Sequence, residues 1–226
     1  MKKLLKNIRY YFWATNKRRI LDKIQEKYRD VFHGIVLDIG GRDRGKFKKP
    51  KAEVEKWIFA DIEEKFKPDI VLDVANMKFF EDNSVDVINA NELFEHVEKI
   101  DKGPEECRRI LKPDGIAIIS VPFLKEIHAD PHDFQRWTEI KWKNKFKELG
   151  FDIRETVILG RFFCTLVDMI KVLIKKLPLL IRLPIQAVSY PFLDALVWLD
   201  NTSFVLNDNR LKNFHVGYFF ILKNKK

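Results

Sequence analysis

GIVLDIGGRDRG, residues 34–45, decides the fold: its short run Ile35–Ile39 is largely apolar and bounded by glycines. Such a run between turn signals fits a strand buried on both faces. Working outward, IFADIE (58–63), DIVLDVANM (69–77), SVDVINANELFEHVE (84–98) and ECRRILKPDGIAIISVPF (106–123) repeat the pattern of an apolar run closing on polar residues. Strands are predicted at 57–60, 69–72, 85–90 and 115–121, and two more at 152–158 and 215–222. A helix fits 101–112, ended by Pro113 and Gly115, and another fits 138–149, with Thr138 as cap and Gly150 as stop. Strands alternating with helices imply an α/β fold on a mainly parallel sheet covered on both faces.

The chain has 226 residues, 46% of them hydrophobic, enough for a full core in one elaborated domain. Residues 1–33 read as a basic amphipathic helical segment, broken near Thr15–Asn16, and 34–226 as the main domain. Within it, an insertion at about 161–200 carries Leu166, Ile170, Leu173, Ile174 and Leu177 at helical spacing, with Pro178 and Pro184 dividing it into at least two segments. Cys107 and Cys164 lie far apart without metal-ligand spacing, as expected of reduced thiols in a cytosolic protein. No metal site is expected. The start MKKLL is interrupted by Lys6 and Arg9, unlike a secretory signal. The uncharged run Leu183–Leu193 is shorter than the ~20 residues of a spanning helix, so no membrane span is expected.

In open α/β sheets ligands bind beyond the carboxyl ends of the strands, where strand order reverses. Gly40 and Gly41, after the first strand, let the backbone turn and approach a ligand closely. Asp38 can orient that loop or meet an ammonium group. Asp61, at the second strand's end, is placed to accept hydrogen bonds from both hydroxyls of a ribose. Asp73 can accept from an exocyclic amine such as that of adenine, with the Val74 N–H beside it. Ala90, Asn91 and Glu92 follow the fourth strand.

Over roughly 34–158 and the last strand, these residues resemble a class I S-adenosylmethionine-dependent methyltransferase. LDIGG is similar to the family's first motif, Asp61 to its ribose-binding acid, and Asp73–Val74 to its adenine-contacting pair. NELFEHV resembles the stretch after the fourth strand, and RRILKPDG the turn before the fifth. The resemblance implies a Rossmann-like, doubly wound, mainly parallel seven-stranded sheet with an antiparallel last strand, plus an N-terminal helix and a helical insertion before that strand. It implies S-adenosylmethionine as cofactor and S-adenosylhomocysteine as product, with Asp38, Gly40, Gly41, Asp61, Ile62, Asp73, Val74, Ala90 and Asn91 at the cofactor. Arg42 and Arg44 depart from the family, which continues with glycines. Arg42 can crowd the cofactor's methionine end, swing outward, or attract its carboxylate. A dinucleotide dehydrogenase fits less well, because GGRDRGKFKKP is not the G-x-G-x-x-G turn a pyrophosphate requires, and Pro50 discourages a long helix.

VPFLKEIHADPHDFQRWT (121–138), after the fifth strand, gathers His128, His132, Asp133, Arg136 and Trp137. Methyl transfer needs the nucleophile held about 3–3.5 Å from the methyl carbon, and a hydroxyl acceptor benefits from a base near neutral pH. His128 or His132 is the candidate base for an O-methylation, with Asp133 orienting it or fixing Arg136. The bland alternative is a structural loop, with an Asp133–Arg136 pair at a helix start and Trp137 in the core. Glu95 and His96 are expected to serve the helix start and packing. The run P-H-D-F-x-R-W-T resembles bacterial methyltransferases associated with surface-polysaccharide or lipid-linked sugar biosynthesis, which implies a small-molecule or sugar-bearing acceptor.

Of the net charge of +9, residues 1–30 carry +7, which points to an anionic partner for that head. Residues 1–13 interleave Lys2, Lys3, Lys6 and Arg9 with Leu4, Leu5, Ile8, Tyr11, Phe12 and Trp13. The insertion pairs Phe162, Phe163, Leu166, Ile170 and Leu173 with Lys171, Lys175, Lys176 and Arg182. Either segment suits peripheral contact with the inner face of a membrane by a cytoplasmic protein. The bland alternatives are a lid over the acceptor and a packed N-terminal helix, at a homodimer interface. Nucleic acid is not the expected substrate, because NANE stands where base-amine methyltransferases carry N/D-P-P-Y/F. The competing reading of function is an inactive methyltransferase-like module that binds a membrane or nucleic acid.

Overall fold

The computed structural model describes residues 2–42, 45–128 and 132–226, without the side chains of Lys2 and Lys3. Arg44 and Pro131, which enter the readings above, lie outside the described residues. Seven strands form one sheet: β1 (Gly34–Ile39), β2 (Val54–Asp61), β3 (Ile70–Val71), β4 (Val85–Asn91), β5 (Leu111–Pro122), β6 (Phe151–Ile158) and β7 (Gly217–Asn224). Their order is β3-β2-β1-β4-β5-β7-β6. β1 through β5 pair in parallel and β7 runs antiparallel to β5, the architecture that the sequence implies. Strand order reverses between β1 and β4, so the carboxyl ends of β1, β2, β4 and β5 border one crevice.

The chain packs as two compact units, Gln25–Val157 with Gly217–Lys226, and Met1–Ile24 with Ile158–Val216. In the first, one face of the sheet buries Leu37, Ile39, Ile88, Ala90, Ile119 and Phe220 against helices α3 (Lys102–Ile110) and α4 (Glu139–Glu148). α3 turns Gly103, Pro104, Cys107 and Ile110 inward at helical spacing. A Cβ on Gly103 would come within 2.6 Å of the Phe94 ring, so only glycine permits this approach. The Thr138 hydroxyl caps α4 by accepting from Lys141 N, and Gly150, at φ +80°, follows its end.

The first of these helices stops earlier than the sequence suggests. Leu111 already pairs with Val85, and the next pairing is Val87 with Ile116, so the residues between bulge out of β5. Asp114, at φ +63°, and Gly115 shape that bulge. The Pro-Asp-Gly signal therefore marks a strand irregularity rather than a helix end.

The second unit contains α1 (Lys2–Trp13), the first part of α2 (Asn16–Lys27), α5 (Phe162–Lys176) and α6 (Leu179–Trp198). Pro178 separates α5 from α6, as expected, but Pro184 and Pro191 lie inside a continuous helix. Proline at 184 deprives the Leu180 carbonyl of its helical donor, at a residue that is 88% exposed. With the turn after it, Leu179–Asn201 is long and apolar enough, by length and composition alone, to cross a membrane. The uncharged run Leu183–Leu193 thus understates the length of this apolar helix. Lys171 is buried rather than surface-facing, with Nζ 2.8 Å from Asp194 and 3.1 Å from Asn16 Oδ1.

Candidate functional site

Beyond β1 the chain turns at Gly40, at φ +69°, which donates its N–H to the Ala60 carbonyl. Gly41 lies directly over Asp38: a Cβ there would sit 1.9 Å from the carboxylate. Asp38 is buried and accepts from Asn89 Nδ2 at 2.7 Å, Trp57 Nε1 at 2.9 Å and Lys49 Nζ at 3.3 Å. Burial pushes this carboxyl above its ordinary pKa, against the pull of Lys49, Trp57 and Asn89. These contacts tie Asp38 to β2, β4 and Lys49. Lys49 and Trp57 escaped sequence reasoning. Asn89 left a signal, a polar side chain within the apolar run of β4.

Asp61, at the end of β2, is buried, with Oδ1 accepting from Glu63 N at 3.0 Å and Oδ2 from Arg42 Nε at 3.1 Å. The Arg42 guanidinium also lies 3.4 Å from the centre of the Phe66 ring. Arg42 thus turns onto the very acid anticipated to hold a ribose. Ile62 beside it is exposed. Asp73 is exposed and accepts from Ala75 N at 2.8 Å, while Val74 is buried. Ala90 is buried within β4, and Asn91 at its end donates to Asn89 Oδ1 at 2.5 Å. Among the described residues, Asn91 Oδ1 is a buried acceptor without a hydrogen-bond donor.

The loops leaving β4 and β5 are stitched together. Glu92, at φ +54°, donates its N–H to the Ser120 carbonyl, and its carboxylate accepts from Ser120 Oγ at 3.0 Å. Phe134 N donates to the Glu95 carbonyl at 2.9 Å, and Gln135 Nε2 to the Val97 carbonyl at 2.6 Å. Below them Trp137 packs on Trp142, which is buried beside Phe94 and Phe146.

On this platform Asp133 takes both anticipated contacts. Its carboxylate receives the two-pronged Arg136 guanidinium and the His128 N–H at 3.1 Å, with His128 Nδ1 at 3.3 Å. Burial pulls the Asp133 carboxyl up, but Arg136 and His128 outweigh it and hold it below the usual range. The His132 side chain is exposed and packs on Phe134, while its carbonyl accepts from His96 Nδ1 at 2.5 Å. His96 Nε2 lies 3.7 Å from the carboxylate of buried Glu95, and the His96 and His128 rings meet edge to face at 5.1 Å. Glu95 and His96, expected only to pack, face the same cluster as His128.

The sheet order is that of the class I methyltransferase fold. Residues 49–119 match a family model described as a methyltransferase domain, and the match begins after the Gly40–Gly41 loop. Among solved structures the chain resembles a SAM-dependent methyltransferase from Archaeoglobus fulgidus, with a TM-score of 0.56 and 16% identity over 97% of this chain and 99% of that one. It also resembles phosphoethanolamine N-methyltransferase 2 from Haemonchus contortus, solved with phosphomonomethylethanolamine and S-adenosylhomocysteine, at 0.53 and 17% identity over 91% of this chain and 52% of that one. The 4+2 cyclase SpnF is similar as well, at 0.57 and 14% identity over 90% and 80%. A cyclase on this fold shows that the fold alone does not name the reaction. No curated protein matches the chain by sequence.

Proposed function

We propose that the protein transfers a methyl group from S-adenosylmethionine to a hydroxyl of a small or lipid-linked, sugar-bearing acceptor. The carrying observation is the pairing of a buried acid at the end of β2, Asp61, with an Asp133-anchored imidazole, His128, on the loop after β5. The residues present fit the cofactor: Gly41 leaves no room for a side chain, and Asn91 Oδ1 offers an unused buried acceptor. Asp61 would hold the ribose once Arg42 withdraws, and Asp73 with Val74 would meet the adenine. When bound, the cofactor supplies an electrophilic methyl on a sulfonium and leaves as S-adenosylhomocysteine. His128 Nε2 takes the acceptor's hydroxyl proton, and Asp133, beside Nδ1, stabilises the imidazolium. Exposed His132 has the weaker claim. The sugar-bearing acceptor rests on the resemblance of PHDFQRWT (131–138) alone.

The second unit supports a further part of this reading, peripheral attachment to the inner face of a membrane. Leu4, Leu5 and Ile8 on α1, and Leu180, Val188, Phe192 and Trp198 on α6, are all exposed. Calorimetric titration of S-adenosylhomocysteine into wild type and Asp61→Ala tests the cofactor assignment. Removing charge-assisted hydrogen bonds should weaken binding by at least ~1.5–3 kcal/mol, and unchanged affinity in a folded mutant refutes it. Co-flotation with anionic vesicles tests attachment. A chain that stays unbound, or self-associates through these residues instead, refutes that part.

A further inference from the structure

We propose that Glu95, His96 and His128 form a binding site for one divalent transition-metal ion of the zinc or cobalt class. Each residue offers one ligand atom, and these atoms lie within 4.8 Å of one another. Two imidazoles and a carboxylate make a donor set typical of an ion that keeps an open coordination position. Glu95 and His96 sit on the loop after β4 and His128 on the loop after β5, so the hydrogen bonds from Phe134 and Gln135 that join these loops also fix the site.

The outer contacts of the two histidines support the assignment. His96 Nδ1 faces the His132 carbonyl at 2.5 Å, and His128 Nδ1 faces the Glu126 carbonyl at 3.2 Å and Asp133 Oδ2 at 3.3 Å. Both rings therefore carry their proton on Nδ1, donating it to oxygen, and present Nε2 as a lone pair. This is the support that metal-bound histidines usually have. His96 Nε2 is already 3.7 Å from Glu95 Oε1. Tetrahedral ligands at ~2.1 Å from an ion stand ~3.4 Å apart, so binding requires His128, whose side chain is 39% exposed, to swing inward by about an ångström.

The site rests on this cluster alone and does not depend on methyl transfer. An ion there would lie on the acceptor side of the crevice, with its open position available to an acceptor oxygen. His128 would then act as a ligand rather than a base, and the ion would lower the hydroxyl's proton affinity so that its proton passes to solvent water.

The test is titration of chelator-stripped, untagged protein with Co2+, read by visible absorption, and with Zn2+, read by calorimetry. One equivalent should bind. Glu95→Gln, His96→Ala and His128→Ala should each weaken binding at least a hundredfold, Asp133→Asn ten- to a hundredfold, and His132→Ala hardly at all, since it lends only its carbonyl. Circular dichroism confirms folding, and His128→Ala, at a partly exposed position, keeps the test valid if Glu95→Gln fails to fold. No stoichiometric binding by folded wild type, or binding indifferent to all three ligand substitutions, overturns the site.

Discussion

Arg42→Ala should tighten cofactor binding while destabilising the free protein. Arg42 Nε donates to Asp61 Oδ2 at 3.1 Å, with side chains 16% and 3% exposed, and its guanidinium covers the Phe66 ring. A hydrogen bond to a charged group contributes about 1.5–3 kcal/mol, and a cation over an aromatic ring about 0.5–2 kcal/mol. Withdrawal of Arg42 exposes it to water, which returns part of that sum, leaving an opening cost of about 1.5 kcal/mol. Without Arg42 a ribose finds Asp61 open, so the dissociation constant should fall about tenfold. The free mutant keeps a buried carboxylate that has lost a donor, at a cost of about 1–3 kcal/mol. Calorimetry with S-adenosylmethionine and thermal unfolding with and without it read both effects, and the mutant should gain more from ligand than wild type does. A tenfold weaker affinity would refute the reasoning, because it would mean that Arg42 grips the cofactor itself.

His128→Ala should lower kcat by ~10²–10⁴-fold, whether the imidazole serves as base or as ligand, and leave the cofactor dissociation constant within about twofold. His132→Ala should stay near wild type, and equal losses in steady-state assays of the two would defeat the distinction. Glu106 accepts from Arg109 Nε at 2.8 Å, Arg109 Nη2 at 3.0 Å and Met77 N at 2.7 Å, and chiefly the arginine holds its carboxyl below the ordinary value of 4.5. A depressed carboxyl contributes stability above its unfolded pKa and loses it as pH falls through the folded one. Glu106→Gln should therefore cost about 1–2 kcal/mol at pH ~7, with the gap from wild type closing below pH ~4 in urea unfolding. A gap independent of pH would mean that packing, not charge, carries the effect.

The strands were legible because each carries a short apolar run closed by turn residues, and β1, β4, β5 and β7 bury both faces of theirs. The carboxyl-end acids were legible for the same reason, since Asp61 and Asp73 follow directly on those runs. What the sequence concealed depends on contacts between distant residues. Nothing local to Lys49 or Trp57 says that they converge on Asp38, and nothing local to Arg42 chooses Asp61 over solvent. Turn chemistry misled at Pro113–Gly115, where the bulge of β5 needs the same residues as a helix end. Proline misled at Pro184, because the helix runs on through it with Leu180, the residue whose carbonyl loses its donor, exposed. Lys171 reads as a surface charge until Asp194, on another helix, comes to meet it.

The two sides of the crevice differ in readiness. On the acceptor side Asp133, His128, Arg136, Glu95 and His96 are set by hydrogen bonds between two loops, and the pairing of Asn91 with Ser120 fixes those loops in register. On the proposed reading that geometry holds His128 in place before a hydroxyl arrives, and preorganisation of this kind is where an active site gains most. On the cofactor side the ribose acid is held by Arg42, and Asp38 is engaged by three donors beneath Gly41. If Asp61 holds the ribose and His128 meets the acceptor, as proposed, cofactor binding breaks a native contact, whereas acceptor binding need not. The binding equilibrium for the cofactor is then the step most sensitive to substitution at Arg42, and its ionic-strength dependence should be weak, because the competing pair is buried and poorly screened.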